Sequence, residues 1–168
     1  ELVQEIGRRS AEQKIATVDL DATLIESYKR EAKPTYAGGK GYQPLLALWA
    51  EMDLALADEF RDGNVPAHVE PLATTRRAFA ALPESVVEYY FGGDSGCWDR
   101  ALVNWLRDPR REDGPQGWIT FGIRVRMTPN LKKHILRLPD SLWKAYREDS
   151  GAVSQCADLL NYWPEEED

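Results

Sequence analysis

Lys14-Ile-Ala-Thr-Val-Asp-Leu-Asp-Ala-Thr-Leu-Ile-Glu26 is the stretch on which the fold turns. Ile15, Ala16, Thr17, Val18 and Leu20 form a β-branched, apolar run bounded by polar residues, the pattern of a buried strand in the middle of a sheet. Side chains alternate along a strand, so Asp19 and Asp21 share one face while Val18 and Leu20 share the other. Burying two neighbouring acids costs on the order of several kcal/mol unless a cation or a set of donors compensates. A divalent metal is the usual compensation. An edge strand with both acids in water is the bland alternative, and the apolar residues on both sides of the pair argue against it.

Outward from this strand, Leu2, Val3 and Ile6 place a short helix over residues 1–12. Glu26 to Lys40 carries Lys29, Arg30, Lys33 and Lys40 and ends in Gly38-Gly39-Lys40-Gly41, which reads as a flexible basic loop, either solvated or in contact with phosphate. Tyr42 to Trp49 and Leu54 to Arg61 are each of strand length. They are joined by a short polar connector and closed by Asp62-Gly63-Asn64, so they form a hairpin despite their Ala and Leu content. Three antiparallel strands result, beginning with the acidic one.

Leu72 to Leu82 is a helix ended by Pro83. Val86 to Phe91 is a further central strand that runs into Gly92-Gly93-Asp94-Ser95-Gly96, and an acid at a strand tip among glycines is a common site geometry in α/β proteins. Trp98 to Arg107 is helical, with Ala101, Leu102, Trp105 and Leu106 facing inward. Trp118 to Met127 alternates as a strand with Arg124 and Arg126 on one face, and Pro129 to Leu138 is a short basic helix. These cations face either DNA or solvent. From Ser141 on, Trp143, Tyr146, Val153 and Tyr162-Trp163 point to extended structure.

The 168 residues suit one domain with a full core. No apolar run approaches the ~20 residues of a membrane span. Cys97 and Cys156 suggest neither a disulfide framework nor a zinc site, His68 and His134 lack metal-ligand spacing, and a reducing cytoplasm fits. The net charge of −7 argues against a general nucleic-acid binder but not against a nuclease-type core, whose metal ligands are acidic. The chain opens at Glu1 without Met and closes on Glu165-Glu166-Glu167-Asp168, which is read as an excised piece of a longer protein.

The resulting class is α/β. Three antiparallel strands followed by two parallel ones, flanked by helices and with acids at the ends of the first and fourth strands, are the layout of an RNase H-like mixed sheet. Two resemblances compete for the same acids. Asp19-Leu20-Asp21-Ala22-Thr23-Leu24 resembles the first motif of haloacid-dehalogenase-type phosphatases, which implies Asp19 as nucleophile and Asp21 as general acid; Gly93 to Asp99 resembles that family's metal motif. That chemistry also requires a Lys to hold the aspartyl phosphate, and Gly41 to Asp94 contains none. Nor does a Ser or Thr end an apolar strand in that interval.

The second resemblance covers nearly the whole chain. Asp19 to Lys33, Lys40-Gly41-Tyr42-Gln43-Pro44-Leu45, Asp58 to Ala67 and Asp94-Ser95 before a helix resemble, in order, blocks of the group-1 DDE transposases of bacterial insertion sequences. The resemblance implies Asp21 and Asp94 as catalytic metal ligands, with Asp19 the alternative on the first strand. Mg²⁺ or Mn²⁺ ions, about 3.5–4 Å apart in such sites, would drive DNA strand cleavage and transfer. The partners implied are transposon ends and target DNA, with a homodimer in the full-length protein and no membrane. Lys29, Arg30, Lys33, Lys40, Arg61, Asn64, Arg124 and Arg126 are the candidate DNA-binding residues, although Asp-Gly-Asn is also a good turn.

The family's third acid, a Glu on a later helix, has no counterpart here, because Glu165 to Glu167 lie in a terminal run without apolar periodicity. The expectation is an incomplete RNase H-like core over 1–140 followed over 141–168 by the start of an insertion subdomain or an extended tail. Such a piece binds a metal ion weakly and is inactive alone. A non-catalytic acidic interaction domain, with Asp19, Asp21 and Asp94 unrelated in space, is the remaining alternative.

Overall fold

The computed structural model describes residues 8–147 and 150–159. They fall into two compact units, Glu1–Val125 and Arg126–Asp168, which divide ahead of the boundary expected at 140. The first unit is a mixed α/β domain. Its main sheet has five strands in the order β6-β5-β1-β7-β8. These are β1 (Ile15–Ala22), β5 (Leu45–Trp49), β6 (Leu54–Glu59), β7 (Glu88–Gly93) and β8 (Ile119–Ile123). β1 runs antiparallel to β5 and parallel to β7; β5 and β6 are antiparallel, and β7 and β8 are parallel. The hairpin reading of Tyr42–Arg61 therefore holds, with a bulge between Ala47 and Leu48.

β1 is central because β5 and β7 take up its hydrogen bonds on both sides. Its even-numbered residues Ala16, Val18 and Leu20 are buried. Registered beside them on the same face are Trp49 and Ala47 of β5 and Phe91 of β7, also buried. Two helices cover this face, α1 (Pro71–Ala80) and α2 (Arg100–Arg107). Phe79 of α1 packs against Trp105 of α2 at 5.6 Å and against Tyr89 of β7 at 6.2 Å between ring centroids. Asp99 starts α2 by accepting a hydrogen bond from the Leu102 amide at 2.7 Å, a standard N-cap. Ala101, expected on the buried side of α2, is exposed, and Val103 is buried in its place.

The opposite face is the acidic one. Asp19 and Asp21 do share it, as the alternation requires, but both are exposed, which corrects the expectation of a pair buried between apolar neighbours. Ala16, Val18 and Leu20 point to the helix-covered side while Ile15, Asp19 and Asp21 are exposed on the other, so the strand is central in the sheet and still open on one face.

Glu26 to Lys40 also differs from the expected flexible loop. β2 (Ile25–Glu26), β3 (Lys33–Pro34) and β4 (Lys40–Tyr42) form a small antiparallel sheet in the order β2-β4-β3. A tight turn closes it, with the Thr35 hydroxyl donating to the Gly38 carbonyl at 2.8 Å and with Gly38 and Gly39 in the left-handed region at φ 87° and 74°. The strand expected to reach Met127 stops at Ile123, so Arg124 and Arg126 are not on a strand face.

The second unit contains α3 (Pro129–Ile135) and the hairpin β9 (Lys144–Arg147) with β10 (Val153–Cys156). Thr128 caps α3 by accepting from the Leu131 amide at 3.1 Å, and Pro129 fills the first helical position. Residues 8–12 are helical. The readings made on Leu2, Val3, Ile6, Tyr162-Trp163 and Glu165 to Glu167 lie outside the described residues. No helix among the described residues is long and apolar enough to cross a membrane.

Candidate functional site

Three segments converge at the carboxyl ends of β1 and β7. β1 contributes Asp21 and Ala22. β7 ends at Gly93, registered beside Leu20, which leaves Asp94 as the next residue alongside Asp21. The Asp94 carboxylate then turns the chain: its Oδ1 accepts from the amides of Gly96 at 2.8 Å and Cys97 at 3.2 Å. Cys97 is buried beneath, with its Sγ 3.4 Å from the Leu20 carbonyl oxygen. Burial, then the charge and hydrogen bond of Asp94, then the charge of Asp21 push the Cys97 thiol up to about 12. The register of β1 and β7 thus sets the two predicted acids at neighbouring positions. Asp19 stands two residues back, registered opposite Leu48 and Gly92, and its Oδ1 lies over the Gly92 backbone.

The third segment is the loop after β6. The Gln43 amide donates to the Arg61 carbonyl at 2.9 Å, the Gly63 amide donates to the Gly41 carbonyl at 3.0 Å, and Tyr42 bridges Asp62. The block Lys40-Gly41-Tyr42-Gln43 and the block Arg61-Asp62-Gly63-Asn64 are therefore one packed unit. Gly63 is required there by contact, since a Cβ would stand 2.6 Å from the Gly41 oxygen and 2.7 Å from Thr35 Cγ2. At the far side of the loop, Ala67 meets Gly96, whose added Cβ would lie 3.4 Å from that of Ala67.

These segments enclose a cleft of about 520 Å³ whose walls include Tyr36, Gln43, Asn64, His68, Asp94 and Ser95. Tyr36, Gln43 and His68 have no assigned role in the sequence reading. Spacing gives a lone histidine no partner, and only the loop's path from Arg61 to Glu70 sets His68 across from Asp94. A usable signal existed for Gln43: it lies inside the Lys40–Leu45 block that is packed against the Asp-Gly-Asn turn.

The candidate DNA-binding residues separate. Lys29, Arg30, Lys33 and Lys40 are exposed on the small sheet and its turns, and Asn64 is exposed at the cleft. Arg124 is exposed just after β8, with its amide donating to the Gly93 carbonyl at 3.1 Å; Arg126 belongs to the second unit. Arg61 requires correction as a DNA contact. It is 5 % exposed, and its guanidinium is engaged by Glu59 at 2.8 Å and by the Pro66 and Ala67 carbonyls at 3.4 Å. It positions the loop.

As a metal centre the site supplies two carboxylates, one of them already capping a turn. Among the described residues no group of three His, Cys, Asp or Glu side chains is placed to hold an ion. The pair suits a shared divalent cation but needs a further ligand. No family model matches the chain, and no curated protein matches it.

Proposed function

We propose that this chain is a catalytic-core piece of a DDE-type DNA transposase, with an RNase H-like sheet and with Asp21 and Asp94 as metal-holding carboxylates. One observation carries the reading: in a sheet ordered β6-β5-β1-β7-β8, the two acids stand at the carboxyl ends of the adjacent parallel strands β1 and β7, with Gly93 registered beside Leu20. In this reading Mg²⁺ or Mn²⁺ supplies the activation of water or a 3′-hydroxyl and the stabilisation of the leaving oxygen. The chain's own part is to hold the ion and the DNA. Asp21 is exposed to accept a cation, Asp94 is fixed by two backbone donors, and the cations of the small sheet stand ready for phosphates. Among the described residues no third carboxylate joins the pair, so the reading needs a further ligand to complete the site.

The acidic interaction domain is disfavoured by the register that sets Asp21 and Asp94 at neighbouring positions on adjacent parallel strands. The phosphatase reading is disfavoured by the interval from Gly41 to Asp94, which holds no Lys for an aspartyl phosphate.

The test is Mn²⁺ titration calorimetry on the wild-type chain, Asp21→Ala and Asp94→Ala. Binding present in the wild type and lost in both variants supports a shared metal centre. Unchanged binding in both variants rejects it. Turnover of a generic phosphate ester that Asp19→Asn abolishes would instead establish the phosphatase.

A further inference from the structure

We propose that β8 pairs edge to edge with β8 of a second copy of this chain, antiparallel and centred on Phe121, so that the two main sheets run into one. The pairing is carried by the sheet edge alone and does not depend on the metal centre at Asp21 and Asp94.

Among the described residues β8 pairs with β7 alone. The Arg124 amide donates inward to the Gly93 carbonyl, and backbone groups alternate in direction along a strand. Thr120 and Gly122 therefore also face β7, while Ile119, Phe121 and Ile123 turn their N–H and C=O groups outward. None of these outward groups bonds to other backbone among the described residues. The strand, Ile119-Thr-Phe-Gly-Ile123, carries no charge and no Pro, and its register with β7 is unbroken. An edge of this kind is a template for another strand, and natural edges are usually blunted by charges, bulges or cover. The opposite edge of the same sheet is blunted. β6 pairs with β5 across a bulge, ends in Asp58 and Glu59, and has its Asp58 carbonyl taken by Arg77 Nη2 at 2.8 Å.

Self-complementarity names a second copy as the occupant. A register centred on Phe121 sets Phe121 against itself and Ile119 against Ile123, and it is the one antiparallel register in which every outward group of the strand finds a partner. It also buries the remaining exposed surface of Phe121 and Ile123 on the helix-covered side. On the open side the alternation continues one residue past each end of the strand, so the same register places Trp118 opposite the partner's Arg124. Trp118 is 76 % exposed and Arg124 is exposed. A guanidinium over an indole is a favourable cation–π pair, and the two-fold axis makes it twice. Between them Thr120 stands opposite the partner's Gly122, where an added Cβ would meet nothing within 4 Å, which leaves the indole room to lie along the sheet. Because β6 is blunted, the assembly closes at two copies. A pairing of single strands buries less than a standard interface, so the dimer is a weak one.

The experiment is sedimentation equilibrium of the 168-residue chain up to millimolar concentration, with reductant present so that the exposed Cys156 cannot cross-link. A monomer–dimer equilibrium is expected. Trp118→Arg sets like charges opposite each other at both symmetric pairs and should weaken the dimer about tenfold or more. Adding Arg124→Glu should restore it, and both positions are exposed, so folding is not at stake. Amide hydrogen exchange locates the contact: the Ile119, Phe121 and Ile123 amides should gain protection as concentration rises, whereas Thr120 and Gly122, already bonded to β7, should not change. A chain monomeric at every concentration overturns the proposal. So does a dimer indifferent to Trp118→Arg, one that Arg124→Glu fails to restore, protection gained away from β8, or growth beyond two copies. Each of these results leaves the Mn²⁺ titration, and with it the transposase reading, to be decided separately.

Discussion

Two loops of the first unit are held by the same device, a buried arginine that donates to backbone carbonyls, yet they differ in how well the device is satisfied. Arg111 is 2 % exposed. Its Nε reaches the Trp105 carbonyl at 3.1 Å, one Nη reaches Leu106 at 3.0 Å, and the other reaches Gly117 at 3.0 Å as well as Pro115. The guanidinium also lies 5.2 Å from the centroid of the Trp105 ring, and Trp105 in turn donates to the Asp113 carbonyl at 2.9 Å. Arg61 has a carboxylate partner in Glu59, but its two carbonyl contacts are long at 3.4 Å and its buried Nε has no partner among the described residues. The loop around Arg111 is tied at every guanidinium nitrogen and serves packing. The loop around Arg61 is tied more loosely, and it is the one that carries Asn64 and His68 to the cleft. Tight satisfaction marks the structural loop, and incomplete satisfaction marks the loop beside the candidate site.

The sharpest way to break this comparison is to remove each guanidinium while keeping its stem. Arg111→Met strands several carbonyls in a buried loop, and at about 1–3 kcal/mol for each lost buried partner the total should reach about 3–5 kcal/mol. Arg61→Met removes weaker bonds and an orphaned donor, so about 1–2 kcal/mol is expected. Urea unfolding of the two variants measures both. Equal losses would mean that hydrogen-bond completeness does not distinguish the loops.

Gly63→Ala tests the Arg61 loop from its other side. The new Cβ meets the backbone of Gly41, which cannot swing away as a side chain can. A loss of about 2 kcal/mol is expected, in the range for overpacking, together with a displaced loop. The measurement is a thermal melt, and an unchanged melting temperature would mean that the loop yields at Gly63.

These two loops also show what could be read in advance. The hairpin, the central acidic strand and the acid after β7 follow from alternation, turn residues and glycine placement, all local signals. The two blocks Lys40–Leu45 and Asp58–Ala67 are visible as motifs, but their mutual packing is a long-range contact that no period in the sequence encodes. Arg61 shows the cost of that gap. Beside Asp-Gly-Asn it reads as a surface cation, and only the closure of the loop onto Pro66 and Ala67 buries it. Exposure of Asp19 and Asp21 was illegible for a similar reason: a strand's composition reports its own burial on one face, and the helices α1 and α2 cover only that face. The small sheet β2-β4-β3 was hidden by strands of two or three residues, too short to show alternation.

The smallest expected effect concerns Glu59, the acid that Arg61 holds. The hydrogen bond from Arg61 is the main cause holding its pKa below the ordinary 4.5; burial opposes it, and the Thr74 hydroxyl and the charges of Arg61 and Arg77 add to it. A carboxyl whose folded pKa is depressed binds its proton more readily in the unfolded chain. Stability from it is therefore complete above about 4.5 and is lost as pH falls through the lower folded value. Because Glu59 is 39 % exposed, solvent screens the pair and the contribution should stay below about 1 kcal/mol. The difference in urea midpoint between wild type and Glu59→Gln, followed from neutral pH down through the acid range, should shrink below pH 4.5. In an Arg61→Met background that pH-dependent difference should be smaller still, leaving chiefly the Thr74 bond at 2.9 Å. A difference independent of pH in both backgrounds would mean that the Arg61 loop is held by its carbonyl contacts alone, and the contrast with Arg111 would narrow to the number of carbonyls each arginine reaches.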